Sequence, residues 1–224
     1  MSNLFYDDPY QKEINTIIKS IFEEDGKSCI VVEKNIFYPR GGGQKGDRGE
    51  LIVKDEKIEI EEALKDKYSA DGVLLVAEGA VSSALAGQNV ICKLDWNFRY
   101  RQMRLHSALH LHHCMLEKVM EKKINYPITA DIQDGFAFNR YDNNETSEEI
   151  VGQANQEFKS AVASGAEVKT YSDKEKAGWR WWECLDYKIP CGGTHIKDLK
   201  EIGKTEIKYS NKKGKATINI YLNN

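Results

Sequence analysis

The chain has 224 residues, with 32 Lys+Arg against 35 Asp+Glu for a net charge of -3, and is 41% hydrophobic and 30% charged. This balance suits a folded globular chain and excludes a disordered one. No run reaches the roughly 18 apolar residues of a membrane span, and the start Met1-Ser2-Asn3 lacks a signal-peptide pattern, so a cytoplasmic protein with no membrane partner is expected.

Residues 1–90 read mainly as strands. Ile14, Ile17, Ile18, Ile21 and Phe22 are spaced like one helical face, although their β-branching makes a strand the competing reading. Short β-rich runs follow at 28–32, 49–53, 57–60 and 72–76, with the Gly41–Gly43 cluster between the first two. Many short strands with a glycine-rich corner predict a small β-barrel-like domain over 1–90.

The pattern changes over 91–224, predicted as a second domain. Residues 89–94 read as a strand leading into a long helix, 98–122, that stops before Asn125 and Pro127. Thr146 and Glu149 form a capping-box pattern for a second helix, with Ile150, Val151, Ala154, Phe158, Ala161 and Val162 on one face and Gly165 as its C-cap. Residues 167–171, 205–209 and 217–222 read as strands, the last two paired across the turn at 211–214. The predicted class is therefore α+β, with antiparallel sheet and long helices in the second domain.

Four of the five histidines fall within residues 106–113. On the predicted helix His106 and His110 are spaced i, i+4, one turn apart on one face, at the edge of an apolar stripe of Leu105, Ala108, Leu109, Leu116, Val119 and Met120. His112 falls inside the stripe and is expected to be a hydrogen-bonded core residue, His113 lies on nearly the side of His106, and Cys114 faces away and should pack. The second cluster is Cys191-Gly192-Gly193-Thr194-His195, where Pro190 stiffens the approach and two glycines allow a tight reversal. Five cysteines, an odd count, argue against a disulfide framework and leave thiols available. Together His106, His110, Cys191 and His195 supply the three nitrogens and one sulfur that suit tetrahedral Zn²⁺. A metalloprotease of the HExxH type is disfavoured, because Ser107 stands where its glutamate would be.

The stretches Arg104-Leu105-His106-Ser107-Ala108-Leu109-His110-Leu111 and Ile189-Pro190-Cys191-Gly192-Gly193-Thr194-His195 resemble the HxxxH and CxxxH motifs of the editing domains of alanyl- and threonyl-tRNA synthetases. Upstream, Phe37-Tyr38-Pro39-Arg40-Gly41-Gly42-Gly43-Gln44-Lys45-Gly46-Asp47-Arg48-Gly49 is similar to the glycine-rich motif of AlaX, the free-standing alanyl-tRNA editing family, and the length matches its medium-sized class. Arg40 and Lys45 depart from the family pattern, which has a modest side chain before the glycines and a proline after the glutamine.

The resemblance implies a hydrolase that deacylates mischarged alanine tRNA, carrying serine or glycine, with one Zn²⁺ held by His106, His110, Cys191 and His195. Either His195 yields its place to water, or all four ligands stay bound and a positioned water reacts. The resemblance also points to Arg40, Gly41, Gly42, Gly43, Gln44, Gln133 and Thr194 as substrate-binding residues. The partner implied is tRNA, approached by a monomer or homodimer. Arg99, Arg101 and Arg104, together with Lys204, Lys208, Lys212, Lys213 and Lys215, are candidate phosphate contacts, and Trp179, Trp181 and Trp182 candidate stacking surfaces.

Overall fold

A computed structural model describes residues 2–54, 56–69, 71–142 and 146–223. The chain divides into two compact units, Met1–Gly41 with Lys45–Tyr100 and Gly42–Gln44 with Arg101–Asn224. Both sheet-rich and helical parts are present, as the predicted α+β class requires.

The first unit contains β1 (Ser2–Asn3), β2 (Glu13–Glu24), β3 (Lys27–Val32), β4 (Lys34–Asn35), β5 (Gly49–Val53), β6 (Glu56–Lys65), β7 (Val73–Ala77) and β8 (Asn89–Leu94). Six of these close a barrel in the order β2-β3-β7-β6-β5-β8, every neighbouring pair antiparallel. Ile18, Ile30, Leu51, Leu75, Val90 and Cys92 fill its interior. β7 is buried along its whole length because Val73, Leu75 and Ala77 join this core while Leu74 and Val76 pack with Cys29 in a second cluster.

The Ile14–Phe22 region is strand, not helix. A register shift between Ile18 and Ser20 explains the misleading spacing. Thr16 and Ile18 are buried before the irregularity, and Ile14 and Ile21 pack on the same core from either side of it. A one-residue slip in strand parity thus turns period two into 14, 18, 21, which imitates i, i+4, i+7.

Arg99 also departs from expectation. It is fully buried within the first unit, where its guanidinium pairs with Asp47 and donates to Pro9 O at 2.8 Å and Ile36 O at 2.7 Å. A guanidinium withdrawn from water and saturated by local acceptors does not serve as a phosphate contact.

The helix α1 (Trp96–Met120) starts at Asp95, whose carboxylate accepts the Phe98 N–H at 3.0 Å, a regular N-cap. The division between the units falls within α1. In the second unit the helix is buried beyond the predicted stripe, with Met103, Ser107, Leu111, Cys114 and Met115 also covered. There follow β9 (Thr129–Ile132), β10 (Phe136–Asp142), α2 (Glu148–Ser164), β11 (Val168–Ser172), β12 (Arg180–Cys184), β13 (Tyr187–Pro190), β14 (Thr205–Lys212) and β15 (Lys215–Leu222). They form a four-stranded sheet, order β14-β15-β10-β9, and a three-stranded sheet, β11-β12-β13, with all neighbours antiparallel.

Ser147 rather than Thr146 caps α2, its hydroxyl accepting the Ile150 N–H. The helix ends as predicted at Gly165, left-handed at φ 68°, and buries Val151, Ala154, Phe158 and Ala161. The β14–β15 hairpin turns on Lys213 and Gly214, both at positive φ, the requirement of a two-residue loop. Among the described residues, no helix is long and apolar enough to cross a membrane.

Candidate metal centre

The centre lies within the second unit. Helix α1 presents His106 and His110 from successive turns, and the 191–195 segment after β13 presents Cys191 and His195. One ligand-type atom from each of the four residues lies within 4.8 Å of all the others. Cys191 Sγ is 3.5 Å from His106 Nε2 and 3.3 Å from His195 Nε2. The three imidazoles crowd together, with centroids 4.9 Å apart for His106–His110, 4.3 Å for His106–His195 and 5.0 Å for His110–His195.

The nitrogens that do not face the cluster are held from behind. His106 Nδ1 donates to Gln44 Oε1 at 3.0 Å, which leaves Nε2 as the atom with a free lone pair. The same Oε1 accepts the Thr194 N–H at 3.0 Å, and Gln44 Nε2 donates to Thr194 Oγ1 at 2.8 Å. One amide therefore ties the helix histidine to the loop of the other two donors. His195 Nδ1 is 3.1 Å from Ser107 Oγ, which also accepts the Ile196 N–H at 3.3 Å. Trp182, fully buried on β12, forms a wall with its ring centroid 5.3 Å from that of His110.

Local backbone chemistry makes this approach possible. A Cβ on Gly193 would stand 2.2 Å from His106 Cε1, so only glycine lets the loop reach the helix there. Gly43 has φ +80° and would place a Cβ 2.3 Å from Ala130 O, while its own carbonyl accepts the Ile132 N–H at 2.9 Å. This docks the Gly42–Gln44 segment beside β9 and brings Gln44 to the histidines.

Burial sets the electrostatics. It pushes His106 down to about 4 and drives His110 and His195 well below the usual histidine range, reinforced by the neighbouring imidazoles. Burial pushes the Cys191 thiol up to about 11, opposed by the Gly193 N–H that donates to Sγ at 3.4 Å and by Arg180. Neutral imidazoles are the state a metal takes, and a cation would offset the cost of the thiolate. Among the described residues, His110 Nε2 is buried without a hydrogen-bond partner. An orphaned ring nitrogen beside a sulfur and two further nitrogens fits a cation that accepts N and S donors.

The remaining predicted residues fall in different places. Arg40 and Gly41 belong to the first unit, where Arg40 pairs with Glu62 at 2.6 Å and Gly41 O accepts the Tyr38 hydroxyl. Gly42, Gly43, Gln44 and Thr194 belong to the second unit with the four donors. Gln133 lies between β9 and β10, its side-chain amide bonded to Asp131. His112 is the core residue expected, 2.8 Å from Asn155, and His113 bonds the Tyr141 hydroxyl at 3.1 Å. Arg104 donates to Ile202 O. Trp182 is core, whereas Trp179 and Trp181 are half-buried and carry Lys176 and Lys188 over their rings. Ser107, which stands where HExxH chemistry would need a glutamate, is a contact of the centre that the sequence did not announce. Its place one residue after His106 was the available signal for its contact with His195.

The structure defines a class: a six-stranded antiparallel barrel unit and an α/β unit whose HxxxH helix and CxxxH loop form a four-residue centre able to hold a metal ion. No protein-family model matches the chain. It is 32% identical to alanyl-tRNA editing protein AlaX-M of Pyrococcus horikoshii over 89% of this chain and 87% of that protein. It is 25% identical to AlaX-L of the same organism over 96% of this chain and 56% of that one. Alanine–tRNA ligase of Methanobrevibacter smithii is 30% identical over 91% of this chain but only 25% of its own length. The chain belongs to the AlaX family.

Proposed function

We propose that this chain is a trans-acting aminoacyl-tRNA deacylase that removes serine or glycine from alanine tRNA in the cytoplasm, with one Zn²⁺ held by His106, His110, Cys191 and His195. The observation that carries the reading is the convergence of these donors within 4.8 Å, in a chain 32% identical to AlaX-M. Three nitrogens and one sulfur favour zinc over harder ions. When bound, zinc supplies Lewis acidity toward an ester carbonyl and lowers the pKa of water toward about 7.

The reaction is ester hydrolysis. Water adds to the aminoacyl carbonyl, the ribose oxygen leaves and takes a proton, and free amino acid and uncharged tRNA result. The chain's own residues prepare this chemistry by position. Gln44 fixes the His106 tautomer and holds the Thr194 backbone, Ser107 holds His195, and Trp182 excludes water behind His110. The Thr194 hydroxyl, buried and already accepting from Gln44 Nε2, retains a proton to donate to the hydroxyl of a seryl substrate.

Such a contact accounts for a second sieve. A pocket for alanine excludes glycine by one methyl group, worth about 1 kcal/mol, and does not firmly reject an added hydroxyl. A site whose donor is satisfied by the serine hydroxyl leaves that donor unpaired with alanine, and discriminates serine from alanine by about 10⁴ or more. The test is a panel of seryl-, glycyl- and alanyl-tRNA incubated with purified protein. Serine or glycine should be released and alanine spared, and His110→Ala should be folded but slowed about a thousandfold or more, given several kcal/mol of metal assistance. Release no faster than in a chelated control on all three substrates would reject the reading, and unfolding of His110→Ala would instead favour a purely structural ion.

A further inference from the structure

We infer that the outward face of the four-stranded sheet β14-β15-β10-β9 is an RNA-docking surface. The inference rests on the proposed RNA substrate and adds where unpaired bases and phosphates of that RNA are held. One face of this sheet is core: Ala137, Asn139 and Tyr141 of β10 and Ala216, Ile218 and Ile220 of β15 are buried. Alternation therefore turns Phe136, Phe138 and Arg140, and Thr217, Asn219 and Tyr221, to the other side, where all are half-buried. An antiparallel sheet with one buried face normally carries polar residues on the other, but here three aromatic rings occupy the two central strands.

The rings form one surface. Phe136 stands opposite Tyr221 in the register and stacks on it, with centroids 5.2 Å apart and planes 26° from parallel. Phe138 lies two residues along the same strand face. Cations surround and cover them: Lys208 Nζ is 5.0 Å from the Tyr221 centroid, and the Arg140 guanidinium is 5.4 Å from that of Phe138. The edge hairpin adds Lys212 and Lys215, paired in register on the same face. Among the described residues, the acidic ones facing this way are Glu206, which pairs with Lys208 at 3.2 Å, and Asp131 and Asp142 on β9 and β10. From 204 to 215 the chain carries five lysines against the single Glu206.

An RNA supplies both complements, phosphates for the lysines and flat base faces for the rings. Aromatic residues spread across an open four-stranded sheet are a physical solution to holding unpaired bases without reading them tightly.

The experiment measures binding of uncharged alanine tRNA transcript to the full chain at several salt concentrations, so that it does not depend on catalysis. Phe138→Ala and Tyr221→Ala should each weaken binding about 5- to 100-fold, the range for loss of one stacked base. Lys208→Gln with Lys212→Gln should flatten the slope of log K against log salt by about 1 to 2. Lys57→Gln, an exposed lysine of the barrel paired with Glu50, should change neither quantity. Polyglutamate should fail to compete. Wild-type binding by all the sheet variants, no tRNA binding by the wild type, or competition by polyglutamate as strong as by RNA each overturns the inference. Active wild type with unaffected variants sinks the docking surface alone. Variant-sensitive RNA binding without deacylation on any charged tRNA sinks the proposed activity alone.

Discussion

Two largely buried polar clusters, one in each unit, separate a brace from a candidate metal site. In the barrel unit each of the three guanidinium nitrogens of Arg99 donates, to the Asp47 carboxylate or to Pro9 and Ile36 carbonyls, and Asp47 also accepts the Tyr38 N–H. In the second unit His106 and His195 are satisfied on their outward nitrogens, yet among the described residues His110 Nε2 has no partner. Both clusters have been withdrawn from water, and that desolvation must be offset. The Arg99 cluster closes on itself, whereas the histidine cluster brings together four groups able to hold a metal ion, one of its ring nitrogens having no partner among the described residues. The lesson is that burial and polarity do not mark a candidate site; the convergence of several metal-ligating side chains on one point does.

The contrast can be broken from either side. Arg99→Met leaves the Asp47 carboxylate buried and uncompensated, so urea unfolding should show a loss of about 3–5 kcal/mol, most of it recovered when Asp47→Leu is added. A loss below about 1 kcal/mol would mean that the ion pair is not the brace described. Gln44→Ala should act on the ion and leave the fold nearly unchanged. With the His106 tautomer and the Thr194 backbone released, zinc affinity should fall about 10- to 100-fold in a chelator competition, and an unchanged affinity would remove Gln44 from the centre. Ser107→Ala should do less. Loss of one neutral hydrogen bond to His195, about 1 kcal/mol, should lower affinity roughly fivefold in the same assay.

What could be read from the sequence follows from distance along the chain. The i, i+4 histidine pair and the CxxxH loop are local patterns, so both halves of the centre were visible, and so were the capping glycine Gly165 and the β14–β15 turn. The link between the halves was not. Gln44 lies 62 residues from His106 and 150 from Thr194, and its glycine-rich setting suggested substrate contact, not the orientation of a histidine. Arg99 was misread for the same reason, because its partner Asp47 is 52 residues away. In β2 the irregularity at Ile18–Ser20 overwrote the two-residue period that would have identified a strand. β12 was hidden because Trp181 and Trp182 are both large and aromatic although only Trp182 is core.

The most direct test of the metal centre is the zinc content of the purified chain, by elemental analysis, beside that of Cys191→Ala and His110→Ala. The native chain should carry about one zinc, and both variants should stay folded while losing it. A native chain that neither contains zinc nor takes it up, or a Cys191→Ala variant that keeps a full equivalent, would contradict the account.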